Sequence, residues 1–335
     1  MTRTVAVLGA GSWGTALSVH LSRVGHDVRL WARDASLVAD VSAQRVNDVY
    51  LPGVRLPDRV EATNSLADAL RDAELVVSAI PSHGCRGVIR AAAPSIARGA
   101  VIVSATKGLE VGSMRRMSEV IAEEVKAAHP IVVLSGPSFA IEVARQLPTA
   151  TLAASADPEA IALVQAEFRG PSLRLYGSDD VIGVELGGAM KNIIAIAAGV
   201  VEGLGLGHNA LAALITRGLA ELTRLACACG GRRETLAGLS GLGDLVLTCT
   251  GSLSRNRHVG IELARGRALP EILASTKMIA EGVLTTGAAL ELGARHGIEL
   301  PIATQMAEVL SGRSDVRTAI GALMVRPQRA EAETG

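Results

Sequence analysis

The sequence predicts an α/β domain built on a doubly wound parallel sheet, followed by an all-α domain. Three observations predict it. Short β-branched runs alternate with amphipathic segments through the first half of the 335-residue chain. The first of these runs leads straight into a glycine-rich turn and an amphipathic segment. After Asp180 no strand-like run appears, and Ala-, Leu- and Gly-rich segments of helical spacing take over.

In chain order the strand-like runs are Thr4–Gly9, Asp27–Ala32, Leu75–Ile80, Ala100–Thr106, Ile131–Gly136, Thr149–Ser155 and Leu173–Gly177. They are near-continuously apolar, as strands are when helical crossovers cover both faces of a parallel sheet. The helical segments that follow are Val181–Val201, Asn209–Cys229, Arg255–Arg265, Glu281–His296, Ile302–Leu310 and Val316–Met324. The expected organisation is a sheet domain over 1–179, a helical domain over 180–326 and a frayed polar tail over 327–335.

Composition excludes several functions. Apolar residues make up 49% and aromatics 2%, so a large core must be built from Ala, Val, Leu and Ile. The formal net charge is zero and no basic patch or tail appears, which argues against nucleic acid or an acidic membrane surface as partner. MTRTVAVLG enters a strand without the marks of a secretory signal. No apolar run is expected to span a bilayer; the best candidate, Ile193–Val201, is bracketed by Lys191 and Glu202. Cys85, Cys227, Cys229 and Cys249 are too few and too irregular for a disulfide framework, and C-x-C at Cys227 lacks the partners of a zinc site. The expectation is a soluble cytoplasmic protein with no metal and no stable membrane insertion. Apolar helical surface leaves a homodimer open. Arginine is the default cation, and Lys107, Lys126, Lys191 and Lys277 are the only lysines. A lysine in an apolar setting then points to a need for a titratable amine.

VAVLGAGSWGTAL carries G-x-G-x-x-G as Gly9, Gly11 and Gly14, after a strand and at the start of a helix. In that context Gly9 permits a tight turn, Gly11 lets backbone approach a pyrophosphate, and Gly14 lets helix and strand pack closely. The helix start offers free N–H groups to phosphate. This is the fingerprint of a Rossmann-type dinucleotide site. About twenty positions on, where NAD enzymes place a carboxylate on the ribose, WARD puts Arg33, with Asp34 after it. An arginine suits a 2′-phosphate, so NADP(H) is the expected cofactor, with NAD(H) also accepted. His83, in AIPSH, and Lys107, in SATKGLE, follow strand ends that face the ligand crevice. An exposed loop histidine and a solvated loop lysine are the competing readings.

LSGPSFA sets Gly136 and Pro137 in a turn and Ser138 at an expected helix N-cap. In ELGGAMKNIIAIAAG, Lys191 shares a helix face with Gly187, Gly188 and Ala195. The small neighbours are expected to leave clearance for substrate or nicotinamide. Burial would lower the lysine pKa toward the working range of a general acid/base; a lysine snorkelling to solvent is the alternative. Asp244, in a glycine-rich stretch, could pair with Lys191 or hold a substrate hydroxyl, and Asn192 stands beside the lysine. Ser254, Arg255 and Asn256 mark a helix start fit for phosphate. Glu281 precedes a helix, where its carboxylate favours the dipole.

Taken together, GAGSWGTAL, SATKGLE, LSGPSFA, ELGGAMKNIIAIAAG, LSGLGDLVLTCTGSLSRN and AEGV resemble the bacterial NAD(P)-dependent glycerol-3-phosphate dehydrogenase family, in order and over essentially the whole chain. YLPGVRLP (Tyr50–Pro57) is similar to that family as well. The resemblance implies reversible reduction of dihydroxyacetone phosphate to sn-glycerol 3-phosphate, feeding glycerophospholipid synthesis, with Lys191 exchanging the proton. It implies cofactor contacts at Ser12, Trp13, Arg33, Tyr50, Lys107, Ala140, Arg255, Ile279 and Glu281. It implies substrate contacts at Lys107, Gly136, Ser138, Lys191, Asp244, Ser254, Arg255 and Asn256. A β-hydroxy-acid or 6-phosphogluconate dehydrogenase of similar build is the nearest rival, and a non-catalytic dinucleotide sensor is the rival from another class.

Overall fold

The computed structural model describes residues 2–126, 129–275, 280–328 and 330–331. Lys277, Ile279 and much of the tail lie outside the described residues. The chain opens with β1 (Thr4–Leu8), α1 (Ser12–Arg23), β2 (Asp27–Trp31), α2 (Ala35–Gln44), β3 (Val46–Asn47), β4 (Leu51–Arg55) and β5 (Val60–Thr63). It continues with α3 (Leu66–Leu70), β6 (Leu75–Ser78), α4 (Ser82–Ala92), β7 (Val101–Ser104), α5 (Met117–Glu124), β8 (Ile131–Ser135), α6 (Ala140–Ala144), β9 (Thr149–Ala154), α7 (Pro158–Glu167) and β10 (Leu173–Ser178). The rest is helical: α8 (Val181–Gly203), α9 (Gly207–Ala228), α10 (Arg233–Ala237), a π-helical turn (Leu239–Gly243), α11 (Asp244–Thr250), α12 (Arg255–Ala264), α13 (Leu269–Ala274), α14 (Glu281–Arg295), α15 (Pro301–Leu310) and α16 (Val316–Met324).

Eight strands form one sheet in the order β10-β9-β8-β7-β6-β1-β2-β5. The order reverses at β1 and β6, which pair in parallel with Leu8 opposite Ser78. The crevice at the carboxyl ends of those two strands is where such sheets bind ligands. One pairing corrects the all-parallel expectation: β9 runs antiparallel to β8. β9 starts from the end of the sheet where β8 stops, with the five-residue α6 in the connection between them. Apolar side chains cover both sheet faces, Val5, Val7 and Leu30 on one and Ala6, Leu8 and Ile102 on the other.

Helix α8 is the axis of the helical part. Every residue from Gly183 to Val201 is buried. By length and composition Val181–Gly203 could cross a bilayer, contrary to the sequence expectation, yet 89% of its apolar window is buried in protein. Its apolarity therefore serves a core. α12 crosses it at backbone contact: a Cβ on Gly199 would lie 1.9 Å from Arg257 O, and one on Gly260 would lie 1.9 Å from Ile196 O. This close crossing sets Asn256, at the start of α12, against Asn192.

Candidate active site

Lys191 is buried, 7% exposed, in the middle of α8. Its Nζ donates to Asp244 Oδ1 at 2.5 Å and to Thr248 Oγ1 at 2.8 Å. Asp244 and Thr248 lie four residues apart on α11 and so share a face. Asp244 is fully buried and holds a second cation: Lys107 Nζ donates to Asp244 Oδ2 at 2.6 Å and to Gly136 O at 3.0 Å. Two ammonium groups thus share one carboxylate. Burial lowers the Lys191 pKa to about 8; Asp244 pulls it up and Lys107 pushes it down, so desolvation prevails over the ion pair. The snorkelling alternative is excluded by this burial.

The glycines beside the lysine have a different use from the one expected. A Cβ on Gly187 would meet Ser240 O at 2.7 Å, and one on Gly188 would meet Ser135 Oγ at 2.6 Å and the Lys107 stem at 3.7 Å. Their clearance is taken by protein, by the Ser240 carbonyl at Gly187 and the Ser135 hydroxyl at Gly188. Asp244, in its glycine-rich stretch, opens α11 directly after the π-helical turn, where a Cβ on Gly241 would lie 2.0 Å from Leu236 O.

The glycine turn after β1 has the expected geometry. Gly9 has φ +115°, and a Cβ there would meet Ala79 O at 2.7 Å. Gly14 is forced by contact with Gly9 O at 1.9 Å, whereas a Cβ on Gly11 would meet nothing within 4 Å. Gly11 is the N-cap of α1 and no side-chain cap bond is made there, so open space adjoins the start of that helix. Ser12 Oγ donates to Tyr50 O at 2.6 Å, and Trp13 and Tyr50 pack on the sheet core. Arg33 is exposed and makes no hydrogen bond or ion pair among the described residues. Asp34 is committed to capping α2, accepting from the Ser36 and Leu37 N–H groups. Ala140 begins α6, beside the same core. These features fit a dinucleotide: a donor-rich turn with room, and a free guanidinium at the end of β2.

Gly136 has φ +141°, and Thr151 Oγ1 lies 2.6 Å from where its Cβ would be. Ser138 is not the N-cap expected of it; Phe139 holds that place with no side-chain bond, and Ser138 Oγ donates to Gly136 O at 3.1 Å. The reason is that α6 starts one residue later than the sequence suggests. Ser254 does cap α12, accepting from Arg257 N at 3.2 Å, while Arg255 is exposed beside it. Glu281 begins α14, but its carboxylate serves another helix: it accepts from Ser82 N at 3.1 Å and Ser82 Oγ at 2.6 Å, at the start of α4. Pro81, the α4 N-cap, has no side-chain acceptor, and Glu281 supplies one. His83 is exposed, in keeping with its competing reading.

Sequence reasoning missed Thr248, Ser82 and Asn47. Asn47 is fully buried and donates to Ala10 O at 2.9 Å and Thr15 Oγ1 at 2.8 Å, clamping the glycine turn from the β3–β4 hairpin. Thr248 had a usable signal, since Asp244 and Thr248 have helical spacing. Asn47 and Ser82 had none, because their partners are remote in the chain.

Two family models match in succession. The model described as NAD-dependent glycerol-3-phosphate dehydrogenase N-terminus matches residues 4–161, and its C-terminus counterpart matches 180–321. The chain is 54% identical to a glycerol-3-phosphate dehydrogenase [NAD(P)+] of Koribacter versatilis, over 98% of each chain. It is 49% identical to that of Geobacter sulfurreducens, over 99% of each. Among solved structures it resembles the glycerol-3-phosphate dehydrogenase of Coxiella burnetii, with TM-score 0.94 and 42% identity over 97% of this chain and 99% of that one. A ketopantoate reductase from Ralstonia eutropha, with TM-score 0.58 and 17% identity over 95% of this chain and 99% of that one, shares the fold alone.

Proposed function

The chain belongs to the NAD(P)-dependent glycerol-3-phosphate dehydrogenase family, and from that premise we propose that Lys191 exchanges the proton of the reaction it catalyses. The observation that carries this reading is the buried Lys191 amine, held between Asp244 and Thr248 and brought down to a pKa of about 8.

In the direction of reduction, Lys191 as ammonium donates to the carbonyl oxygen of dihydroxyacetone phosphate. It delivers its proton there as the oxygen becomes alkoxide, and is left as a neutral amine. In the reverse direction the amine takes the hydroxyl proton. A pKa near the working pH lets one group serve both directions. The nicotinamide cofactor, when bound, supplies or accepts the hydride. Asp244 fixes both lysines in place, and the resulting excess of positive charge suits a substrate oxygen that gains negative charge. The substrate phosphate fits the start of α12, where Ser254 caps and Arg255 is exposed. Binding energy spent on that phosphate holds the carbonyl in place. Gly136, Ser138, Lys107 and Asn256 complete the substrate surroundings on this reading.

The residues that would hold the cofactor are Gly9, Gly11, Ser12, Trp13, Gly14, Tyr50, Lys107, Ala140, Arg255 and Glu281, with Ile279 outside the described residues. Arg33 supports a preference for NADP(H) over NAD(H), because its guanidinium is uncommitted and the neighbouring carboxylate is spent on a helix cap. The product would feed glycerophospholipid synthesis in the cytoplasm, a setting supported by four free thiols.

Dihydroxyacetone phosphate reduction by Lys191→Ala tests the proposal. The expected loss in kcat is about 1,000-fold, with the dissociation constant of NADPH little changed. Turnover near that of the wild type would remove Lys191 from the chemistry.

A further inference from the structure

Asn47 ends β3, is fully buried, and has partners on both polar atoms of its amide. A backbone N–H can only donate and a carbonyl can only accept. Tyr50 N donates to Asn47 Oδ1 at 3.2 Å, and Asn47 Nδ2 donates to Ala10 O at 2.9 Å. Each bond alone fixes which way the amide faces, and the two agree. The other Nδ2 hydrogen goes to Thr15 Oγ1 at 2.8 Å. These partners lie on both sides of Gly11, with Ala10 before it and Thr15, fully buried, in the first turn of α1. A further bond joins the same two parts of the chain, from Ser12 Oγ to Tyr50 O at 2.6 Å.

A peptide unit is planar. A hold on the Ala10 carbonyl is therefore a hold on the plane of the peptide that leads into Gly11. Gly11 has open space beside it, and it is the glycine through which such turns let backbone approach a pyrophosphate. Asn47 itself, fully buried, offers a ligand no surface. We infer that Asn47 is a positioning residue for the cofactor: it holds the Ala10–Gly11 peptide and the first turn of α1 in the arrangement that receives the pyrophosphate, and touches no part of the cofactor. This rests on the reading of the glycine turn as the cofactor site. The bond from Tyr50 N makes the β3–β4 hairpin, a two-stranded sheet apart from the main one, the support on which the turn is set.

NADPH binding and turnover by Asn47→Asp test this. The variant is nearly isosteric and keeps an acceptor for Tyr50 N, but at pH 8 it sets a carboxylate oxygen where Ala10 O needs a donor. The expected result is a dissociation constant for NADPH raised about 30-fold. The kcat at saturating NADPH and the KM for dihydroxyacetone phosphate should stay within about twofold of wild type. A dissociation constant within about twofold of wild type would overturn the inference. So would a fall in kcat as large as the rise in the dissociation constant, which is the mark of general distortion. Should Asn47→Asp fail to fold, Thr15→Val replaces it. That variant removes one of the two Nδ2 partners, with a rise of about fivefold expected and the same outcomes against it. Gly11→Leu, measured alongside, separates the two layers. Gly11 has φ −72° and a Cβ there meets nothing within 4 Å, so the fold accepts the side chain while the open space is filled. If Gly11→Leu binds NADPH as wild type does, the reading of the turn fails; if it loses NADPH and Asn47→Asp does not, only the role of Asn47 fails.

Discussion

At the scale of residues, the site is organised by one carboxylate between two lysines. Asp244 raises the proton affinity of Lys191, and burial and Lys107 lower it. Asp244→Asn removes the opposing effect, so the midpoint of the pH–kcat profile for reduction should move to lower pH, and kcat at neutral pH should fall by about 100-fold; a pH series on the variant checks it, and an unmoved midpoint would mean that the pair is not coupled. Arg33 makes a separate claim. Arg33→Asp should shift the ratio of kcat/KM values toward NADH by about tenfold or more, measured with both cofactors, and an unchanged ratio would place the 2′-phosphate elsewhere. Much of this scale was legible in the sequence. A lone lysine in a small-residue helix reads as a desolvated amine, and pairing with Asp244 is among the readings; the structure has both. The sharing of Asp244 with Lys107 was not legible. Those residues are 137 positions apart, and only the fold brings them together.

At the scale of elements, helix starts borrow carboxylates from distant helices. Glu281 serves α4 across 199 residues, Glu185 accepts from Ser118 N in α5 across 67, and Glu221 accepts from Ile302 N in α15 across 81. Pro81 and Leu300, the N-caps of α4 and α15, have no side-chain acceptor of their own. Such caps leave no local signature, which is why Glu281 reads in the sequence as a simple helix-start residue. Glu221 is buried at 2% exposure, and burial raises its carboxyl pKa to about 7, from an ordinary 4.5. The folded chain therefore keeps a proton that the unfolded chain has lost between pH 4.5 and 7. Stability tied to this group is present below pH 4.5, declines through that window and is level above it. Glu221→Gln should remove about 3 kcal/mol of that decline, seen as a smaller difference between urea-unfolding free energies at pH 5 and pH 8; an unaltered difference would mean that Glu221 does not titrate there. Packing sets a second test. Gly199→Ala puts a methyl 1.9 Å from Arg257 O at the α8–α12 crossing, and should destabilise by about 3 kcal/mol or more, read as a lowered Tm together with a loss of kcat, because Asn256 and Asn192 meet at that crossing. The short elements were the least legible: LPGVR hides β4 behind Pro and Gly, and SGLGDLVLTCTG, with its glycines, gives no assigned helix although it forms a π-helical turn and α11.

At the scale of the whole molecule, the α/β part and the helical part divide the work. The first presents a glycine turn with open space at a helix start; the second presents a buried amine on a helix whose apolarity would otherwise suit a membrane. Ion pairs and caps join them, with Lys107 meeting Asp244, Ser82 meeting Glu281, and Arg116 with Ser118 meeting Glu185. The alternation of strands and helices, and its end near Asp180, were plain in the sequence because burial on both sheet faces demands continuous apolar runs. The antiparallel β9 was not, because an apolar run carries no mark of the direction in which its strand runs. The central claim is that the helical part supplies a lysine tuned by burial to exchange a proton at the substrate oxygen. The pH dependence of kcat/KM for the substrate in both directions tests it most directly. The expected result is that kcat/KM for dihydroxyacetone phosphate reduction falls, and kcat/KM for glycerol 3-phosphate oxidation rises, through a midpoint near pH 8. Profiles that stay flat across pH 7 to 9 in both directions, with chemistry shown to limit the rate, would contradict it.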